Sequence, residues 1–390
     1  MNLTPDWILG IPDLFSKWAL TLMSDEHPGL FRTCIDAPIP FDFPSSTVCR
    51  GFLFMDRFPD DVGKQIESVR EETAEFVRNC QQEETGLFID PHLDSLFEKP
   101  GDARAYRDFR RAMTKYTLGL LDSLDAEAKY PYTETGGTGL PDANEFLEYI
   151  QTGDWDRPWG IGSHAAGQAR ELYFLVEDGH DEYIPALEEG VAFILSKQNP
   201  ETGMWGHSGI PLYEQISGTL KVLGRFFFSM GMDIPYLERL ADSCIEHHAD
   251  RSFYADGVDM CFPRNVAEMV ALCIEASDYR QEDLRETLAD VAEFLRGSQM
   301  PDGGFASDGK GMSAIGWCGA KITGTPEKPR GNVNGSQSAK YSLGLIGETL
   351  GWEKMADMGW KSPLAGWRER VAAFKHEIVI DGDHVSITEK

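Results

Sequence analysis

The chain has 390 residues, of which 42% are hydrophobic, and a formal net charge of −28. That is enough chain and enough apolar content for one large helical domain or two average ones, and it excludes disorder as the main state. The acidic balance argues against nucleic acid and anionic membranes as partners, because both demand basic surface, and it disfavours long polyanionic substrates.

The N-terminus, Met1 to Asp6, has no basic region. The apolar segment Trp7 to Met23 is interrupted by Asp13 and Lys17, so it reads as an amphipathic helix and not as a signal peptide. No run approaches the ~20 apolar residues of a membrane span. Seven dispersed cysteines without a C-x-x-C pair suggest reduced thiols in a cytoplasm. Residues 1–62 read as an N-terminal extension. One helix near Asp13 to Met23 is followed by Pro38, Pro40 and Pro44, which oppose a long helix.

From Gly63 onward the helical pattern continues to about residue 376. In 181–197 the apolar positions are Ile184, Leu187, Val191, Ile194 and Leu195. In 283–298 they are Leu284, Leu288, Val291, Phe294 and Leu295. Both are one-faced stripes of period 3.6. Further helices are expected at 65–80, 104–124, 163–177, 212–230, 236–249, 264–277, 335–351 and 364–375. Turn signals recur near Gly86, Gly139, Gly203, Gly257 and Gly303. Consecutive helices with short links pack antiparallel, giving about six hairpins. The expected fold is all-α, an (α/α)6-type toroid over 63–376.

Helices charged on one face, such as 281–297, belong to an outer ring. Others open with small or uncharged polar residues: Gly162-Ser163-His164-Ala165, Tyr213 to Gly218, and Asn334 to Ala339. These suit a crowded inner ring, with their starts facing one mouth of a cavity. The segment 306–334 is long and glycine-rich and gathers Lys310, Trp317, Cys318, Lys321, Lys328 and Arg330, a basic cluster with the character of a functional loop. Residues 377–390 alternate around Asp381-Gly382, which predicts a terminal β-hairpin.

Three segments share a glutamine, an acid, a glycine and an aromatic. In the first and third, glycine lies four and the aromatic six residues after Gln82 and Gln299. The second, from Gln198 to Trp205, carries one residue more. The glycine would supply a tight turn, the acid would accept hydrogen bonds from N–H groups at the next helix start, and the aromatic would wedge between helices. This pattern resembles the QW motif of the terpenoid cyclase and protein prenyltransferase superfamily, and the resemblance implies an α/α toroid over roughly residues 64–350. It does not extend to that family's catalysis. The Asp-x-Asp-Asp acid is absent, the nearest string being Asp154-Trp155-Asp156-Arg157, and Asp60-Asp61 lacks the third aspartate of a magnesium cluster.

Zinc is a second possibility weighed on spacing. Trp317-Cys318-Gly319 resembles one cysteine motif of lanthionine cyclases, but the Cys-His dipeptide of that family is missing. Cys244, His247 and His248 share one helix, where Cys244 also fits the apolar stripe. No phosphate loop, dinucleotide fingerprint or nucleophile elbow is present, so no cofactor is expected.

Acid–base chemistry without metal is the leading expectation. Several toroidal polysaccharide lyases use asparagine or arginine against a uronate carboxylate, with histidine and tyrosine as base and acid. This chain offers His164, Tyr213 and Tyr254 as catalytic candidates, with Arg264 and Asn265 for the substrate's acid group. Gln168, Gln215, Lys221, Gln337, Trp159 and Trp317 would complete the lining. The expected ligand is a small molecule or oligosaccharide, handled by lyase or hydrolase chemistry. Two readings stay open beside it: a cyclase-like enzyme using Asp154 or Asp156 as its acid, and a non-catalytic toroid binding a peptide or protein.

Overall fold

The structure is a computed structural model that describes residues 3–52, 55–133, 140–250, 260–308, 311, 315–323, 327–355, 367–382 and 384–390. Tyr254, Lys310 and the turn signals at Gly139 and Gly257 lie outside these residues. The chain is an all-α toroid with a short C-terminal strand pair. Twelve of the described helices alternate between two concentric layers.

The outer layer is α1 (Ile11–Leu20), α3 (Arg70–Asn79), α5 (Ala143–Thr152), α7 (Ile184–Leu195), α9 (Leu237–Ala249) and α11 (Gln281–Gly297). The inner layer is α2 (Phe43–Phe52), α4 (Ala103–Asp122), α6 (Pro158–Glu177), α8 (Leu212–Val222), α10 (Cys261–Ala276) and α12 (Val333–Leu350). Inner helices pack in the order α4, α2, α12, α10, α8, α6. The joint between α4 and α6 is bridged by Tyr149 of α5. Its hydroxyl meets Asp108 at 3.2 Å, the Arg104 guanidinium lies 4.5 Å from its ring centre, and its edge faces the His164 ring at 6.4 Å.

The stretch 1–62, expected as an extension, supplies the first hairpin of this ring. Pro44 did not prevent α2, because it is the second residue of the helix, where a missing N–H leaves no bond unmade. The helix expected at 65–80 is split at Val69 into Asp60–Ser68 and α3. Residues 143–152 form α5, which the periodic reading passed over. Asp142 caps it by accepting from Asn144 N–H at 2.8 Å, and Phe146, Tyr149 and Ile150 are its buried face. The segment expected as one helix over 212–230 runs as α8 into a π-helical turn, Leu223–Phe227.

Small residues set the inner spacing, as expected. A Cβ on Gly218 would stand 2.5 Å from Pro158 Cβ, so only glycine lets α8 approach α6 this closely. The terminal hairpin forms as expected, β3 (His376–Asp381) pairing antiparallel with β4 (His384–Glu389). Tyr173 of α6 donates to His376 O at 2.7 Å and anchors it.

The three glutamine turns have a common geometry with a corrected register. Gln81, not Gln82, is the equivalent of Gln198 and Gln299. Gln81 Nε2 donates to Gly86 O at 2.9 Å, Gln198 Nε2 to Gly203 O at 2.9 Å, and Gln299 Nε2 to Gly303 O at 3.1 Å. The first two turns therefore match in length and the third is one residue shorter. Gly86, Gly203 and Gly303 have φ of 67°, 70° and 98°, the left-handed region open to glycine. Each aromatic amide donates at 2.9 Å to a hydroxyl on the following inner helix: Phe88 to Thr114, Trp205 to Thr219, Phe305 to Ser336. The aromatics are fully buried wedges.

The acids of the turns do not cap helices. Glu84 and Glu201 are exposed, and Asp302 accepts from Gly304 and Gly331 N–H groups within its own turn and the neighbouring loop. Capping falls instead to Asp102 for α4 and Asn332 for α12. Among the described residues no helix is long and apolar enough to cross a membrane.

Candidate active site

A cavity of about 640 Å³ opens at the centre of the ring, and every inner helix contributes to its wall. The volume lies in the range of small-molecule sites. Thr47 comes from α2, Lys115 and Tyr116 from α4, and Trp159, Ser163 and His164 from α6. Lys221 comes from α8 and Arg225 from the π turn, with Cys261, Arg264 and Asn265 from α10 and Asn334 and Gln337 from α12. The remaining wall is Gly316–Gly319, at the turn between β1 (Ile315–Trp317) and β2 (Ala320–Thr323).

That hairpin lies within the segment expected to be a functional loop. It is pinned by Gly319 O accepting from Glu98 N–H at 3.0 Å and by Trp317 meeting the Tyr116 ring edge-on at 5.2 Å. Cys318 and Gly319 both have positive φ, and both line the cavity. Arg330, from the same segment, pairs with Asp36.

The wall carries four basic side chains, Lys115, Lys221, Arg225 and Arg264, and no carboxylate among its described residues. In a chain of net charge −28 this inversion is the site's main electrostatic feature. Both guanidiniums are oriented by neighbours. Arg225 Nη1 donates to Ser163 Oγ at 2.8 Å, and the Arg264 guanidinium stacks 4.1 Å from the centre of the Tyr341 ring. Behind the wall, Glu268 interacts with both Tyr341 and Arg264. Asn265 is held by donating from Nδ2 to Ser217 Oγ at 3.0 Å.

These surroundings shift the titratable groups. Burial, reinforced by Lys115 and Arg111, drives the His164 imidazole well below its usual value, so it is neutral at pH 7. Its Nδ1 has no hydrogen-bond partner and only 7% of the residue is exposed. Burial, then Arg225 and Arg264, lowers the Lys221 ammonium to about 7. Burial raises the Tyr116 phenol, which stays protonated across the physiological range. Burial likewise raises the Cys318 thiol, although that residue is open to the cavity.

Of the residues singled out from the sequence, His164, Trp159, Lys221, Arg264, Asn265, Trp317 and Gln337 meet on this one wall. Others do not. Tyr213 is 45% exposed and faces Phe262 outside the cavity. Gln215 is turned onto its own chain, donating to Ile210 O at 2.7 Å. Gln168 is fully buried one turn beyond His164, and neither its Oε1 nor its Nε2 has a partner.

The sequence reading passed over Lys115, Tyr116 and Arg225. Lys115 and Tyr116 lie mid-helix, where nothing local distinguishes them, and Arg225 sits in a π turn that periodicity does not show. The zinc spacing does not assemble. Cys244 is buried, His248 Nε2 pairs with Asp290 at 2.8 Å, and no group of three potential ligands occurs among the described residues. Asp154 and Asp156 are exposed outside the cavity, Asp156 facing His207 at 3.2 Å.

No protein family matches the chain, and no curated protein matches it. Among solved structures it is similar to the GH76A alpha-1,6-mannanase from Salegentibacter sp. HEL1_6, at 12% identity and a TM-score of 0.41, over 87% of this chain and 98% of that one. An inactive variant of that enzyme, in complex with alpha-1,6-mannotetrose, gives 13% identity and a TM-score of 0.41, over 89% and 99%. At these scores the likeness carries nothing about the chemistry of this chain.

Proposed function

We propose that this protein is an acid–base enzyme that binds a short, carboxylate-bearing saccharide in the toroid cavity and cleaves it by elimination. The observation that carries this reading is the basic wall, four basic side chains, of which Lys221 is only partly charged at pH 7, without a carboxylate among the described lining residues. Glycoside hydrolysis ordinarily needs a pair of carboxyl groups flanking the bond. Elimination beside a carboxylate needs the opposite set: cations to neutralise that carboxylate, a neutral base and a neutral acid.

Arg264 and Asn265 take the ligand's acid group, with Arg225 beside them. Neutralising the carboxylate acidifies the adjacent C–H bond. His164, held neutral by burial, removes that proton. The electron pair forms the carbon–carbon double bond and the bond to the leaving oxygen breaks. That oxygen takes its proton from Tyr116, which assumes the acid's role first given to Tyr213 and Tyr254. Trp159 and Trp317 offer flat faces to a sugar ring, and Gln337 and Lys221 offer polar contacts. The acidic exterior repels a long polyanion while the cavity attracts a single acid group, so the ligand is short.

A cyclase reading asks for an aromatic and apolar cavity, which four basic side chains oppose. A peptide-binding toroid asks for a shallow groove. Assay against a panel of short acidic saccharides, following the conjugated product by ultraviolet absorbance, tests the proposal. His164→Ala should lose on the order of 10²–10⁴ in rate with its circular dichroism unchanged. A fully active His164→Ala protein sinks the assignment.

A further inference from the structure

Lys221 moves no proton in the elimination just described, where it offers only a polar contact, yet its position is unusual. It lies on the cavity wall, one helical turn before Arg225 on the same rod and across from Arg264 on α10. Among the described residues no carboxylate oxygen reaches it within ion-pair distance, whereas Arg225 is held by Ser163 and Arg264 stacks on Tyr341. The charged and titratable groups facing it are Arg225 from its own rod, Arg264, Cys261 and Glu268 from α10, and Cys318 from the β1–β2 turn. Burial, then the two guanidiniums, outweigh the opposing Glu268.

From this placement we infer that Lys221 is an imine-forming amine, and that the cavity takes small carbonyl acids (2-oxo acids and aldehydo acids) covalently at its Nζ. The geometry supplies each requirement. An amine without an ion-pair partner is free to attack, and cationic neighbours are a recognised way of keeping a lysine amine unprotonated. Arg225 and Arg264 stand within one turn or one helix of it to hold the carboxylate of the same molecule, which places the adjacent carbonyl carbon at the amine. Tyr116 and Cys318, both protonated, line the same wall.

The step balances without an outside reagent. Nζ adds to the carbonyl carbon and the C–N bond forms. The oxygen gains one of the two protons the nitrogen loses, giving a carbinolamine. The C–O bond then breaks, and the oxygen leaves as water with the second proton, leaving the C=N bond. This activity uses the same cavity as the proposed elimination but does not rest on His164 or on a saccharide.

The test is reductive trapping on the full chain. The protein is incubated with glyoxylate or pyruvate and cyanoborohydride, and the adduct is located by peptide mapping and mass spectrometry. The expected result is one adduct per chain at Lys221, exceeding any other lysine by roughly tenfold or more at pH 7, where an ordinary lysine holds very little free amine. Trapping should rise as pH passes through about 7, and glycolaldehyde, which lacks the carboxylate, should label far less. Lys221→Gln should abolish the adduct. Should that variant fail to fold, the position of the adduct in the unaltered chain decides alone. His164→Ala should keep trapping, which separates this inference from the elimination reading. Adducts spread evenly over surface lysines, or glycolaldehyde labelling Lys221 as fast as glyoxylate, would overturn it.

Discussion

On the outer helices, acidic side chains face water in a regular pattern. Glu282, Asp283, Glu286, Asp290 and Glu293 of α11 are all exposed, while Leu284, Leu288, Val291 and Leu295 are buried. In the cavity the pattern and the sign both reverse, since cations from three inner helices and the π turn converge and nothing repeats along the chain. The shell is built from spacing and the cavity from convergence. The first kind of order is local in sequence and the second is not. Substitutions in the shell should therefore lower stability and leave ligand chemistry alone, and substitutions in the cavity should alter ligand chemistry, with any stability effect set by the charge they remove.

The largest stability effect belongs to the shell. Trp205 is fully buried and its indole donates to Ile194 O at 2.9 Å, so Trp205→Ala should lose about 3–5 kcal/mol in urea unfolding. A smaller change is expected at the glutamine turns. Gln81 Nε2 donates to Gly86 O and Tyr130 O, and Gln198 Nε2 to Gly203 O and Pro235 O. Alanine at either should cost about 1–3 kcal/mol, and more at Gln81, because each leaves a pair of carbonyls unpaired and Gln81 Oε1 also accepts from Tyr130 N–H at 2.9 Å, whereas Gln198 Oε1 has no partner among the described residues. A larger loss at Gln198 would contradict this comparison of the two turns.

In the cavity the sign should invert. Lys221 has a folded-state pKa lowered to about 7 from 10.5, so holding its charge penalises the fold fully below pH 7. As pH rises from 7 towards 10.5 the unfolded chain binds the extra proton and the penalty fades. Lys221→Met should thus stabilise the protein at pH 6 by about 1–2 kcal/mol, and the gain should vanish near pH 10. Equal unfolding curves at both pH values would show that the amine is not held against its charge. The smallest effect is reserved for the shell's surface, where Glu286→Gln should stay within about 0.5 kcal/mol.

How far the sequence could be read follows the same division. The stripes of 181–197 and 283–298 became α7 and α11 because each helix's burial is decided by its own spacing. The glutamine turns were visible too, although Gln81 and Gln82 are adjacent and only the reach to Gly86 O distinguishes them. Helix α2 was hidden by Pro44 at its second position, and α5 by its short length. At the site, His164, Arg264, Asn265 and Gln337 were legible because they sit at the starts of inner helices among small residues. Lys115, Tyr116 and Arg225 were not, since their roles come from which helices face each other across the ring. Tyr213 and Gln215 misled for the complementary reason. They too begin an inner helix, but α8 reaches the cavity only near its end, at Lys221.

The central claim, a cavity that selects a single acid group, is tested most directly by calorimetric titration. The protein and an Arg225→Met/Arg264→Met variant would each be titrated with a short oligosaccharide of hexuronic acid and with its neutral hexose counterpart. The unaltered protein is expected to bind the acid and not the neutral sugar, more weakly as salt is added, and the variant to bind neither. Equal binding of the neutral sugar, or undiminished binding of the acid by the variant, would contradict it.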